Sequence, residues 1–139
     1  MKREASVVWE GGLPDGKGVI TTESSALADA QFFGARSGDE EGTRAELIAA
    51  AFAVCFAKEL TRQLGQTGFT PKRINAAVTV ILEKQSAGWT ITSVQLEVLA
   101  RVRGAKQGDF IQAALNAKNH CPISPLFKAA ISMNARLIA

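Results

Sequence analysis

A chain of 139 residues, 47% of them apolar, is long enough for one domain with its own hydrophobic core and too greasy for a disordered segment. Its net charge of +3 is scattered, with no basic block and no aromatic interleaving, which argues against a nucleic-acid partner. The longest greasy run, residues 47–57, is too short to cross a bilayer, and the basic N-terminus has no apolar stretch behind it, so a cytoplasmic protein with no membrane partner is expected.

In chain order, "EASVVWE" reads as a first strand. "GGLPDGKG" reads as a turn and "VITTES" as the returning strand of a hairpin. From Ser24 to Thr43 no period is visible, and the stretch reads as a long connection carrying Phe32, Phe33, Arg36 and an acidic "GDEEG". A helix is predicted from Thr43, placed to N-cap it with Glu46 at the third position, to about Gln63, ending at Gly65. Its first half, "LIAAAFAVCFA", is apolar all round, which predicts enclosure in the fold centre.

Ile74, Ala76, Val78, Val80 and Leu82 alternate as a strand, "EKQSAGW" reads as the turn, and Val94, Leu96, Val98, Ala100 and Val102 alternate again. Ile91 is out of phase with that second set, so a bulge is expected near Thr92–Ser93. A second helix follows with a stripe of Phe110, Ile111, Ala114 and Leu115, stopping by Asn119 or His120. "CPISP" should begin a short helical or 3₁₀ turn with Pro122 at its first position, and Ala129 to Leu137 alternate as a last strand. The order ββ–α–ββ–α–β is that of an α+β fold, an antiparallel-rich sheet on a long central buried helix, in one domain over residues 1–139.

The chemistry-bearing residues are few. Cys55, Cys121 and His120 form no CxxC or HxxxH pair, so no metal site is expected, and no GxGxxG, GxxxxGK[ST] or GxSxG motif calls for a cofactor. Cys121 sits just before a predicted helix start, where orphan N–H groups and the helix dipole lower a thiol pKa; it could equally be a cap or a gap-filler. Cys55, in an apolar run, reads as an inert core thiol unless a cation, best an arginine, is brought to it from elsewhere.

"GKGVITTES", "GTRAELIAAAFAVCF", "AGWTITSVQLEV" and "CPISPLF" together resemble the OsmC/Ohr family of thiol-dependent hydroperoxide reductases, over essentially the whole chain. An arginine in the long connection, rather than in the first hairpin, is similar to the OsmC branch. The resemblance implies an intertwined homodimer with active sites at the subunit interface, a peroxidatic Cys55, a resolving Cys121 and an Arg36 that holds the thiolate. It also implies a first-turn glutamate paired with that arginine. Here the chain departs from the family's pattern, with Ala45 ten residues before Cys55, Glu46 nine before, and Arg44 in place of the usual proline. The role then falls to Glu46 from a shifted start, to Glu40 or Glu41, or to no residue. Nine residues of helix place Glu46 about 14 Å from Cys55 and on the opposite face, so Glu46 acts either across a dimer interface or only on the helix N-terminus.

The implied reaction is reduction of organic hydroperoxides, and more weakly of hydrogen peroxide, through a Cys55 sulfenate and a Cys55–Cys121 disulfide. A dithiol such as a dihydrolipoyl group then re-reduces the pair, in antioxidant stress defence and with no cofactor. Phe32, Phe33, Phe52 and Phe56 are the candidates to line a pocket for the carbon tail, or else ordinary core residues. The alternatives are a redox sensor or weakly active stress protein on the same fold, and a structural protein with two buried thiols.

Overall fold

The computed structural model describes residues 1–34 and 42–138. Arg36, Glu40 and Glu41 lie outside the described residues. The chain divides into two compact units, Met1–Arg44 and Ala45–Ala139.

The first unit is a three-stranded antiparallel sheet of β1 (Ala5–Glu10), β2 (Lys17–Thr22) and β3 (Ala30–Phe33), in that order. The expected hairpin is present, with Val8 opposite Val19. β3 corrects the expectation of an unstructured connection: "AQFF" is too short to display an alternation, and its register comes from β2, where Gly18 faces Phe32. The Phe32 ring lies over that glycine, where a Cβ would overlap it, and tilts against Trp9 at a centroid distance of 5.8 Å. β1 is exposed along its whole length, with Val7 and Val8 54% and 62% accessible.

The second unit is built on β4 (Pro71–Gln85), β5 (Gly88–Val102) and β6 (Ile131–Leu137), with β5 central, antiparallel to β4 and parallel to β6. A parallel neighbour requires a crossover, and α2 (Gln107–His120) supplies it between β5 and β6. The predicted alternation of β5 holds: Val94, Leu96, Val98, Ala100 and Val102 are all buried. The bulge is also where the phase break put it, since Ile81 pairs with Ser93 and Leu82 with Ile91, leaving Thr92 as the extra residue. The β4–β5 turn is tighter than "EKQSAGW", because Gln85 already pairs with Gly88.

α1 spans Gly42–Gln66. Thr43 is therefore inside the helix and not its N-cap, and no acidic residue stands in the first turn. Its end is set by Gly68 rather than Gly65. Gly68, at φ +87°, donates to the Gly65 carbonyl at 3.1 Å, and Phe69 N–H donates to the Leu64 carbonyl at 2.9 Å. That pair of bonds is a Schellman closure, and it needs a left-handed residue at Gly68. Gly65 makes no such turn and remains helical.

The expected enclosure of α1 on all sides is also corrected. Only one stripe, Phe52, Phe56, Leu60 and Leu64 at four-residue spacing, is fully buried, joining the β5 ladder and α2 in one core. Leu47, Ala50, Ala51 and Val54 are exposed on the other side, Val54 at 58%. An apolar helix can be unpartnered within its own chain, and sequence pattern alone does not say whose surface covers it. In α2 the buried stripe is Phe110, Ala113, Ala114 and Ala117, and Leu115 is exposed. The observed order is thus βββ–α–ββ–α–β.

Gly68→Ala is expected to lower stability by about 1 kcal/mol, because an L side chain resists the left-handed conformation while the space around Gly68 is open. Urea denaturation of the reduced protein measures it; an unchanged midpoint would show that another residue ends the helix.

Candidate active site

Cys55 lies in the middle of α1, on the flank of its buried stripe, between Phe52 and Phe56. It is partly buried and packs against the core. Cys121 is almost completely buried, at 1% exposure. The two are joined as a disulfide, with Cα atoms 6.2 Å apart across a separation of 66 residues. Closing a loop of that length stabilises the folded state by about 4 kcal/mol on the chain-entropy account.

Cys121 is not at a helix start. It is the C-cap of α2, and its N–H donates to the Ala117 carbonyl at 3.0 Å. The neighbouring carbonyls are satisfied locally: His120 Nδ1 donates to Asn116 at 2.7 Å and the Ser124 hydroxyl to Lys118 at 2.7 Å. Lys118 Nζ in turn donates to the Ile131 carbonyl at 3.2 Å, tying the end of α2 to β6. The 3₁₀ turn that follows is only Ser124–Leu126, with Pro125 rather than Pro122 inside it. The dipole argument therefore reverses sign. The carbonyl end of a helix disfavours an anion, so the helix-dipole reason for expecting an ionised Cys121 falls away.

The remaining expected residues fall in different places. Phe52 and Phe56 are fully buried, and Phe52 packs edge-on against Phe127 at 5.5 Å; both belong to the core. Phe32 and Phe33 belong to the first unit, Phe32 against Trp9 and Gly18. Glu46 is exposed on α1. One group that the sequence reading passed over is Glu59, one helical turn beyond Cys55 on the same face. Arg62 donates to it through Nε at 3.1 Å and again through Nη2, and Gln63 Nε2 donates at 2.9 Å. Those hydrogen bonds, from Arg62 first and Gln63 second, with the added field of Arg62 and His120, hold its carboxyl below the usual carboxylate range against a smaller opposing effect of burial. The i+4 spacing from Cys55 and the downstream Arg62 were the available signals. Among the described residues no cluster of three or more His, Cys, Asp or Glu side chains is placed to hold a metal, and no helix is long and apolar enough to cross a membrane.

A mid-helix thiol is thus bonded to a second thiol at the end of another helix. Residues 38–136 match the sequence model of the family described as OsmC-like protein. The chain belongs to the OsmC-like family. It is 39% identical over 131 residues to the peroxiredoxin OsmC of Escherichia coli (strain K12), covering 93% of this chain and 92% of that protein. The OsmC-like fold is also that of an OsmC-like protein from Vibrio cholerae, at a TM-score of 0.70, 12% identity and coverage of 98% and 99%. The organic hydroperoxide resistance protein OhrB of Bacillus subtilis matches at a TM-score of 0.62, 17% identity and coverage of 97% and 98%.

The depressed Glu59 pKa has a signed consequence. Its stabilising effect is fully present above the ordinary carboxylate pKa and is lost as pH falls through the lowered folded value. Glu59→Gln should therefore lower the melting temperature near neutrality and lose that difference as pH falls below about 4.5, the ordinary value, which flattens the acid limb of the profile. An acid limb identical to wild type would show that Glu59 gains nothing from Arg62 and Gln63.

Proposed function

We propose that this OsmC-like chain is a thiol-dependent peroxidase that reduces organic hydroperoxides. The observation that carries the reading is the Cys55–Cys121 pair, already bonded in the fold. The names of the Escherichia coli relative, a peroxiredoxin, and of the Bacillus subtilis neighbour, an organic hydroperoxide resistance protein, support it. The placement of the two sulfurs supports the division of labour. Cys55 is the more accessible and so is reachable by a peroxide, whereas Cys121 is sealed and lies at the carbonyl end of α2, where a thiolate is disfavoured.

In the proposed cycle the Cys55 thiolate attacks the terminal peroxide oxygen, the O–O bond breaks, and the alkoxide leaves, taking from solvent the proton that Cys55 released on ionising and so becoming the alcohol. Cys55 is then a sulfenic acid. The Cys121 sulfur attacks it, water leaves, and the disulfide forms. A dithiol of the dihydrolipoyl type reduces the disulfide by two exchanges, ending as its own cyclic disulfide while both cysteines regain their protons. Arg36 is the cation proposed to hold the Cys55 thiolate, since a guanidinium stays charged in an apolar setting. Phe32 and Phe33 are proposed to meet the hydrocarbon tail. Phe52 and Phe56 support the wall from within the core.

The working unit is proposed to be a homodimer with its sites at the subunit interface. Leu47, Ala50, Ala51 and Val54 form an exposed apolar stripe on α1 with small residues at its middle, which suits close approach of a second helix. A dimer would also give the exposed Val7 and Val8 a surface to cover them. Glu46 is proposed to act, if on the site at all, across that interface, because its own Cys55 is about 14 Å away on the opposite face.

With one equivalent of cumene hydroperoxide the reduced wild type should lose about 2 Da to the disulfide, and Cys121→Ser should instead gain about one oxygen at Cys55, a sulfenic acid trapped by dimedone. Steady-state turnover with dihydrolipoamide should be faster with cumene hydroperoxide than with hydrogen peroxide, and absent in Cys55→Ser. Stoichiometric oxidation without turnover would favour the redox sensor, and no oxidation at all the structural protein. For the assembly, Leu47→Glu should convert a dimer to monomer in light scattering. A wild type that is itself monomeric would remove the dimer.

A further inference from the structure

The second unit carries a cationic surface that the peroxidase reading does not use. Lys72 and Arg73 open β4, and Arg101 and Arg103 close β5 and the turn beyond it. Arg73 and Arg101 are direct cross-strand partners, an arrangement of like charges that weakens a sheet. All four are exposed, and none has an acidic partner at ion-pair distance among the described residues. Three clefts meet on them. One of about 410 Å³ lies between Arg103, Leu137 and Lys72, and one of about 350 Å³ between Arg73, Asn75 and Arg101. A third, of about 450 Å³, runs from Lys72 and Arg73 to Lys58 and Thr61 on α1. Lys72 borders all three, so the clefts adjoin one another as a cationic trough round the ends of β4 and β5.

The α1 end of that trough starts at Lys58, where the exposed apolar stripe stops and one helical turn past Cys55, a rise of about 5 Å. We propose that the trough is the docking surface for an acidic protein that carries the reducing dithiol. An unpaired row of cations bordering an open channel fits an extended acidic surface, by charge complementarity, better than it fits a small enclosed ligand. Docking there brings a dithiol on a flexible arm to α1 at Lys58, one turn from Cys55. This rests on the proposed dithiol-reduced cycle and adds to it the chemistry of the carrier.

The probes are two synthetic peptides, each bearing one dihydrolipoyl-lysine, one rich in Asp and Glu and the other with Asn and Gln in their place. With wild type, the acidic carrier should reduce the disulfide with a kcat/KM about 10-fold above the neutral one at low salt, and the advantage should vanish towards 0.5 M salt, where screening is short-ranged. Arg73→Glu with Arg101→Glu should abolish the advantage and leave reduction by free dihydrolipoamide unchanged; Arg73→Gln with Arg101→Gln serves if the reversal misfolds. Equal rates for the two carriers, or an advantage that survives both variants, would overturn the proposal. If free dihydrolipoamide fails to reduce the disulfide, the reductant reading fails on its own. The trough is then decided by fluorescence anisotropy: labelled acidic peptide bound in a salt- and Arg73/Arg101-dependent way upholds it, and preferential binding of labelled oligo-dT over the acidic peptide overturns it.

Discussion

The buried ladder of β5, Val94 to Val102, is the surface on which the second unit is built. α1 contributes Phe52, Phe56, Leu60 and Leu64 to the core built on it, and α2 contributes Phe110, Ala113, Ala114 and Ala117. Fully burying each phenylalanine or leucine contributes about 2 kcal/mol, so the helices are held by packing rather than by capping. Because both helices share that core, the flank of one meets the end of the other, and two sulfurs far apart in sequence become bonding neighbours. The covalent bond is a consequence of the packing that brings 66 residues of intervening chain back on itself.

The same packing separates the chemistry of the two thiols. Cys55 stays on the accessible edge of α1, one turn before the Glu59–Arg62–Gln63 cluster. Cys121 caps α2 and is sealed in the core, at the helix end that Lys118 ties to β6. A partner that arrives late and a partner that meets the oxidant first are the two roles a thiol peroxidase needs. The proposed cycle assigns the sealed sulfur to the first role and the accessible one to the second.

Charge is distributed with a comparable logic. Glu59, one helical turn beyond Cys55, is neutralised within its own helix by Arg62. Among the described residues the cations at the β4 and β5 ends have no such neighbours and are exposed. Proteins ordinarily avoid placing Arg73 opposite Arg101, and the lost stability is the reason to look for a ligand there.

The first hairpin, the β5 alternation and the Thr92 bulge were legible from local pattern, and the Cys55–Cys121 pairing from motifs that resemble one family. Three features were not, and each depends on a non-local partner. β3 exists because β2 offers it hydrogen bonds, although "AQFF" has no pattern of its own. Cys121 looked like a helix start because Pro122 follows it, yet the packing of α2 carries the helix through His120 and makes it a terminus, reversing the dipole at the sulfur. The all-apolar run of α1 declared that it is buried by something but not by what, since hydrophobicity is non-directional; the tertiary structure decided which side faces its own β5 and which is left bare.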